Sequence, residues 1–95
     1  MIYANIWLTV NDPADVPVVR DLLAEQCRLS RDEPGCARFE VYHSQADPAR
    51  FLLVERWESQ EALELHRKAK AYTEIYQPQV LTRATREGHV STLVE

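Results

Sequence analysis

Ile2-Tyr3-Ala4-Asn5-Ile6-Trp7-Leu8-Thr9-Val10 sorts into two rows at period two. Side chains of a β-strand alternate sides, so Ile2, Ala4, Ile6, Leu8 and Val10 share one face and Tyr3, Asn5, Trp7 and Thr9 the other. Neither row is charged, so neither reads as a solvated face. Asn11-Asp12-Pro13 ends the strand and opens a helix, with an acceptor side chain ahead of a proline in the first turn. From Ala14 to Asp32 the apolar residues Val16, Val19, Leu22, Leu23, Cys27 and Leu29 recur at three- and four-residue steps, the pattern of an amphipathic helix. Glu33-Pro34-Gly35 stops it.

Cys36 to Ser44 alternates again, Gln45-Ala46-Asp47-Pro48 is a turn, and Arg50 to Glu58 is a third strand that forms a hairpin with the second. In that third strand Phe51, Leu53, Glu55 and Trp57 share one side. Ser59 caps a helix running to Lys70. A further helical piece covers Ala71 to Gln77 and closes at Pro78, and Gly88 precedes a last strand, His89 to Val94. The order strand, helix, strand, strand, helix, strand predicts a single α+β domain over residues 1–95. It is the ferredoxin-like split βαβ arrangement, a four-stranded antiparallel sheet with both helices on one face. If the aliphatic row of the first strand faces away from the helices, together with Leu52 and Val54, it leaves an apolar patch that a small monomer rarely exposes. A homodimer joined through its sheet faces covers it. The polar row, with Asn5, then turns toward the helices.

Composition narrows the function classes. With 11 Lys+Arg against 15 Asp+Glu the formal charge is −4, and no basic run is long enough to track a phosphate backbone, so nucleic acid is not expected as a partner. No apolar stretch approaches the roughly 18–20 residues that cross a bilayer, so no membrane partner is expected. The opening residues lack a signal peptide's pattern, which predicts a cytoplasmic protein with Cys27 and Cys36 reduced. His43, His66 and His89 lack metal-ligand spacing, and no metal site is expected. No glycine-rich phosphate loop is present, so a nucleotide or flavin cofactor is not expected either.

Glu55-Arg56-Trp57-Glu58-Ser59-Gln60-Glu61-Ala62-Leu63-Glu64-Leu65-His66 is a strand ending in Glu-x-Trp, a small residue opening a helix, and a His at that helix's far end. With the turn Glu33-Pro34-Gly35 leading into Cys36-Ala37-Arg38-Phe39-Glu40-Val41, it resembles the antibiotic biosynthesis monooxygenase domain family, over essentially the whole chain. The resemblance implies the dimeric α+β barrel form of the fold. It also implies cofactor-independent oxidation of a quinol or other small aromatic by O2, in a pocket between sheet and helices. Carried onto this chain, it makes His66, Asn5 and Tyr76 the candidate catalytic residues. If helical phase is kept, Ala62, His66, Ala69, Thr73 and Tyr76 lie on one stripe.

The residue types suit the chemistry. A phenol gives an electron to O2 far more readily once deprotonated, and His titrates in the range where a base is needed. An amide such as Asn5 donates to an oxygen on which charge develops. Tyr3, Trp7, Trp57, Tyr72 and Glu55 are the candidate substrate-binding residues, although Trp57 and Glu55 also read as architectural. Trp57 would then pack under the helix, and Glu55 pair with a cation or with backbone donors. An isomerase or a small-molecule binding protein on the same scaffold is the alternative, with His66 and Asn5 moving a proton beside a carbonyl. Heme-degrading relatives share an Asn at the position of Asn5 but carry Trp and His where this chain has His66 and Tyr76, which ranks heme degradation last.

Overall fold

The computed structural model describes residues 1–95. Strand β1 (Ile2–Val10) leads through a 3-10 turn (Pro13–Asp15) into helix α1 (Val16–Arg31). Strands β2 (Cys36–His43) and β3 (Arg50–Trp57) follow, then helix α2 (Gln60–His66), a π-helical segment (Ala71–Val80) and strand β4 (Ala84–Ser91). The sheet order is β2-β3-β1-β4 with every neighbour antiparallel, the ferredoxin-like arrangement that the element order predicts.

Local chemistry sets the boundaries. Asp12 Oδ1 accepts from the Ala14 amide at 3.0 Å and starts the 3-10 turn, while Ser59 Oγ accepts from the Ala62 amide at 3.1 Å and starts α2. Gly35 ends the α1–β2 turn at φ +77°, where an L side chain is strained, and a Cβ there would lie 2.5 Å from that of Ala62. The bare glycine therefore lets the turn lie directly on α2, with the Glu58 amide donating to Gly35 O at 2.8 Å. Pro78 does not stop its helix. The wider π turn continues past the missing N–H, the Gln79 side-chain amide donates to Glu74 O at 2.9 Å, and the Leu81 amide donates to Tyr76 O at 2.9 Å. The last strand also begins and ends earlier than the sequence pattern suggests, because all eight residues from Tyr3 to Val10 pair with it, from Ser91 back to Ala84.

The facing of β1 is the reverse of the sequence expectation. Ala4, Ile6, Leu8 and Val10 are buried in one cluster with Val19, Leu23 and Cys27 of α1 and Phe39, Phe51, Leu53 and Trp57 of the sheet. The aliphatic row therefore lies under the helices, because α1's own apolar stripe needs it. Tyr3, Asn5, Trp7 and Thr9 occupy the helix-free face. There the Arg50 guanidinium stacks 4.4 Å from the Trp7 ring centroid and that of Arg56 4.9 Å from Tyr3. Asn5 is satisfied on that face, donating to Ser91 Oγ and accepting from Arg56 Nη1, each at 3.2 Å.

Candidate active site

A cavity of about 230 Å³ lies between the sheet and the segment from α2 to the π-helix. Ala4 and Ile6 of β1 form its apolar floor, and His66, Tyr72, Tyr76, Glu55 and Gln26 bring polar atoms to its wall. His66 is the last residue of α2 and points inward, buried against Trp57 (centroids 4.5 Å apart), Phe39 (5.7 Å) and Tyr72 (5.5 Å). Tyr72 in turn packs on Tyr76 at 5.2 Å.

The structure thus gathers His66, Tyr76, Tyr72 and Glu55 around one space, although helical phase is broken between α2 and the π-helix. Trp57 stands behind His66 rather than in the wall. It donates from Nε1 to Glu55 Oε1 at 3.0 Å, so Glu55 accepts from an indole, where the sequence left a cation or backbone donors as its partner. Asn5, Tyr3 and Trp7 do not belong to this cavity, since they lie across the sheet. Their placement beside His66 followed from the inverted facing of β1, and is corrected with it.

The sequence reading missed Glu33, whose Oε1 lies 2.7 Å from His66 Nδ1. Glu33 reads as part of a helix stop, but the tight turn at Gly35 folds it back onto α2. Nε2 of the same ring lies 3.9 Å from Glu55 Oε1, beyond hydrogen-bond range. Burial, helped by Arg67, pushes the imidazole down to about 4. Burial, helped by the Glu55 carboxylate, pushes Glu33 up to about 7. Burial also raises Glu55, against the hydrogen bond from Trp57, and carries the Tyr76 hydroxyl up to about 12. Each member of the Glu33–His66 pair is therefore driven toward its neutral form. Above about pH 7, where Glu33 is ionised, a neutral ring with its hydrogen on Nδ1 donates it to Glu33 and leaves the Nε2 lone pair for a ligand.

The pair has a signature in stability. A raised carboxyl contributes stability below its ordinary value of 4.5 that is lost as pH climbs to about 7. A lowered imidazole contributes stability above its ordinary 6.5 that is lost as pH falls to about 4. The two slopes oppose one another between 4.5 and 6.5, where folded and unfolded chains hold one proton on the pair alike. Glu33→Gln leaves the His66 slope alone. Its melting temperature, measured relative to wild type, should therefore rise between about pH 5 and 6.5, by up to ~1.4 kcal/mol per pH unit or roughly 4–8 °C per kcal/mol. Parallel curves for the two proteins would show that Glu33 titrates alike in the folded and unfolded chains.

Fold and cavity together define a ferredoxin-like α+β domain with a pocket lined by His66, Glu55, Tyr72 and Tyr76 beneath its helices. The family model described as antibiotic biosynthesis monooxygenase matches residues 1–78. The chain belongs to that family. Among solved structures it is similar to an antibiotic biosynthesis monooxygenase (TM-score 0.86, 22% identity, covering 98% of this chain and 99% of that one). It is also similar to the Mycobacterium tuberculosis protein Rv0793 (TM-score 0.82, 26% identity, 100% and 98%). A variant of SnoaB, a cofactor-independent oxygenase from Streptomyces nogalater, matches at TM-score 0.85 with 12% identity, covering 99% and 93%. A search of curated proteins finds no match. No helix is long and apolar enough to cross a membrane.

Proposed function

We propose that the protein oxidises a small phenol or quinol with O2, without a metal or organic cofactor, using His66 as the base. The observation that carries the reading is the orientation of His66: Nδ1 is engaged by Glu33 and Nε2 is not. A hydroxylated ring in the cavity gives its proton to Nε2, and the imidazolium so formed is stabilised by the Glu33 carboxylate. The phenolate passes an electron to O2, the two radicals combine at a ring carbon, and water is lost. A phenol plus O2 thereby yields a para-quinone plus H2O, and a hydroquinone, oxygenated at the ring carbon beside a hydroxyl, yields a hydroxyquinone plus H2O; in both, one oxygen atom goes to each product. Tyr72 and Tyr76 hold the ring, and Ala4 and Ile6 provide an apolar floor on which O2 can reside. Family membership supports the reaction class, as does the likeness to a cofactor-independent oxygenase.

An oxygen electrode with a panel of hydroquinones and naphthols tests it. Uptake above autoxidation by the wild-type chain is the expected result. A panel that gives no uptake, while one of its members still raises the melting temperature, would overturn it in favour of an isomerase or binding protein. That second reading draws on one feature: Glu55, pushed by burial toward its neutral acid, stands 3.9 Å from His66 Nε2, so that an acid and a base can face one substrate, as proton transfer within it requires.

We also propose that the chain acts as a homodimer in the cytoplasm, joined through the helix-free faces of its sheets. The face carries Trp7, Tyr3 and half-exposed Tyr42 interleaved with Arg50, Arg56 and Leu52, and Trp, Tyr and Arg are the side chains enriched at interface centres. Sedimentation at micromolar concentration should report a dimer, and Leu52→Glu, which sets a charge on that face, should report a monomer. A monomeric wild type would contradict the assignment.

A further inference from the structure

Gln26 and Arg86 line the cavity from opposite layers, and neither plays a part in the proton transfer described above. Gln26 sits on the inner face of α1, only 1% exposed, and its Oε1 meets no donor from the protein. A buried acceptor left unmade costs about 1–3 kcal/mol, so a ligand hydroxyl in this cavity has a partner waiting. Arg86 lies on the helix-facing side of β4, where its Nε donates to Tyr76 Oη at 3.1 Å. Its guanidinium is folded across Gly88. A Cβ at residue 88 would lie 2.6–2.7 Å from the terminal nitrogens and carbon of that group. The missing side chain is thus the space in which the guanidinium rests, and no protein carboxylate holds its two terminal nitrogens.

Two further observations fix the character of the ligand. A cavity of about 230 Å³ is smaller than the roughly 300–1,000 Å³ sites of drug-sized molecules, and so suits one ring rather than a fused system. Its wall carries two cations, Arg86 and Arg67, against one acidic residue, Glu55, whose carboxyl already accepts from the Trp57 indole at 3.0 Å.

We propose that the cavity takes a single-ring dihydroxy aromatic acid, its carboxylate on the terminal nitrogens of Arg86 and one ring hydroxyl donating to Gln26 Oε1. The proposal rests on the small-phenol reading and narrows it to a substrate class. A guanidinium with two free, parallel N–H groups matches a carboxylate bidentately, and the second ring hydroxyl is the one that meets His66 Nε2.

Calorimetric titration of the full chain under nitrogen tests the assignment, with 2,5-dihydroxybenzoate, its methyl ester and hydroquinone as probes. The acid should bind about tenfold or more tightly than the ester, in keeping with a charge-assisted bidentate pair. Arg86→Gln should erase that preference while barely moving the ester. Gly88→Ala keeps the charge but fills its cradle, and should reduce the preference with the ester again unaffected, which separates misplacement of Arg86 from misfolding. Gln26→Leu should weaken the acid and the ester together. Equal binding of acid and ester, equal weakening of both by Arg86→Gln, or no binding of any probe would overturn the proposal. Because no O2 is present, an acid preference can hold where oxygen uptake fails, and uptake of hydroquinone without an acid preference would sink this inference alone.

Discussion

His66→Gln lowers the oxygen uptake of the best quinol by about 10²–10⁴-fold, the contribution typical of a positioned general base. Gln can still accept a hydrogen bond but cannot hold the proton of a phenol, so binding of the quinol should change far less than its turnover. The loss comes from chemistry rather than from recognition. A parallel variant on the other side of the sheet, Asn5→Ala, should leave turnover close to wild type, since Asn5 is bonded to Ser91 and Arg56 and is separated from the cavity by the sheet itself. Uptake is measured with the rate of autoxidation subtracted. Wild-type turnover by the His66 variant would remove the base from the mechanism.

Trp57→Ala should cost about 3–5 kcal/mol of stability, read by chemical denaturation. Trp57 is fully buried at the end of β3, with Phe39 set edge-on at 6.4 Å and His66 over it at 4.5 Å. Truncation removes that packing, opens a cavity, and deprives buried Glu55 of the indole N–H that it accepts. Domains of this size change melting temperature by about 4–8 °C per kcal/mol, so the variant should melt roughly 12–40 °C lower. Trp57→Phe keeps most of the packing and loses the donor. It should fall between wild type and Trp57→Ala, and a Phe variant as weak as the Ala variant would assign the main role to the hydrogen bond.

Element order was legible because each boundary has a local cause: Asp12 and Ser59 as caps, Gly35 as the only residue at positive φ, and alternation in β1, β2 and β3. Which row of β1 faces inward was not legible by the same logic. Period two separates Ala4, Ile6, Leu8 and Val10 from Tyr3, Asn5 and Trp7 but does not say which row the helices claim. The compact aliphatic row fits beneath α1, whereas the aromatic and amide row tolerates a wetter face shared with Arg50 and Arg56. Homodimer was expected on the strength of the wrong row, and is proposed here on the other.

The site was half legible. His66 and Tyr76 were singled out from spacing and family likeness, Tyr72 as an aromatic able to hold a ring, and Glu55 from its motif. Glu33 was hidden because its partner is 33 residues away and the contact depends on a turn. Gln26 could have been noticed: it follows Leu23 by three residues and precedes Ser30 by four, on the buried stripe of α1, where an amide is out of place unless something meets it.

The ionisation of one ring decides most of this. Long-range proton–nitrogen spectra of 15N-labelled protein, recorded from pH 7 to 9, report which nitrogen of His66 carries hydrogen. A neutral ring protonated on Nδ1, with Nε2 bare and shifting when hydroquinone is added under nitrogen, is the predicted spectrum. An imidazolium at pH 7, or a ring protonated on Nε2, would contradict the assignment of His66 as the base.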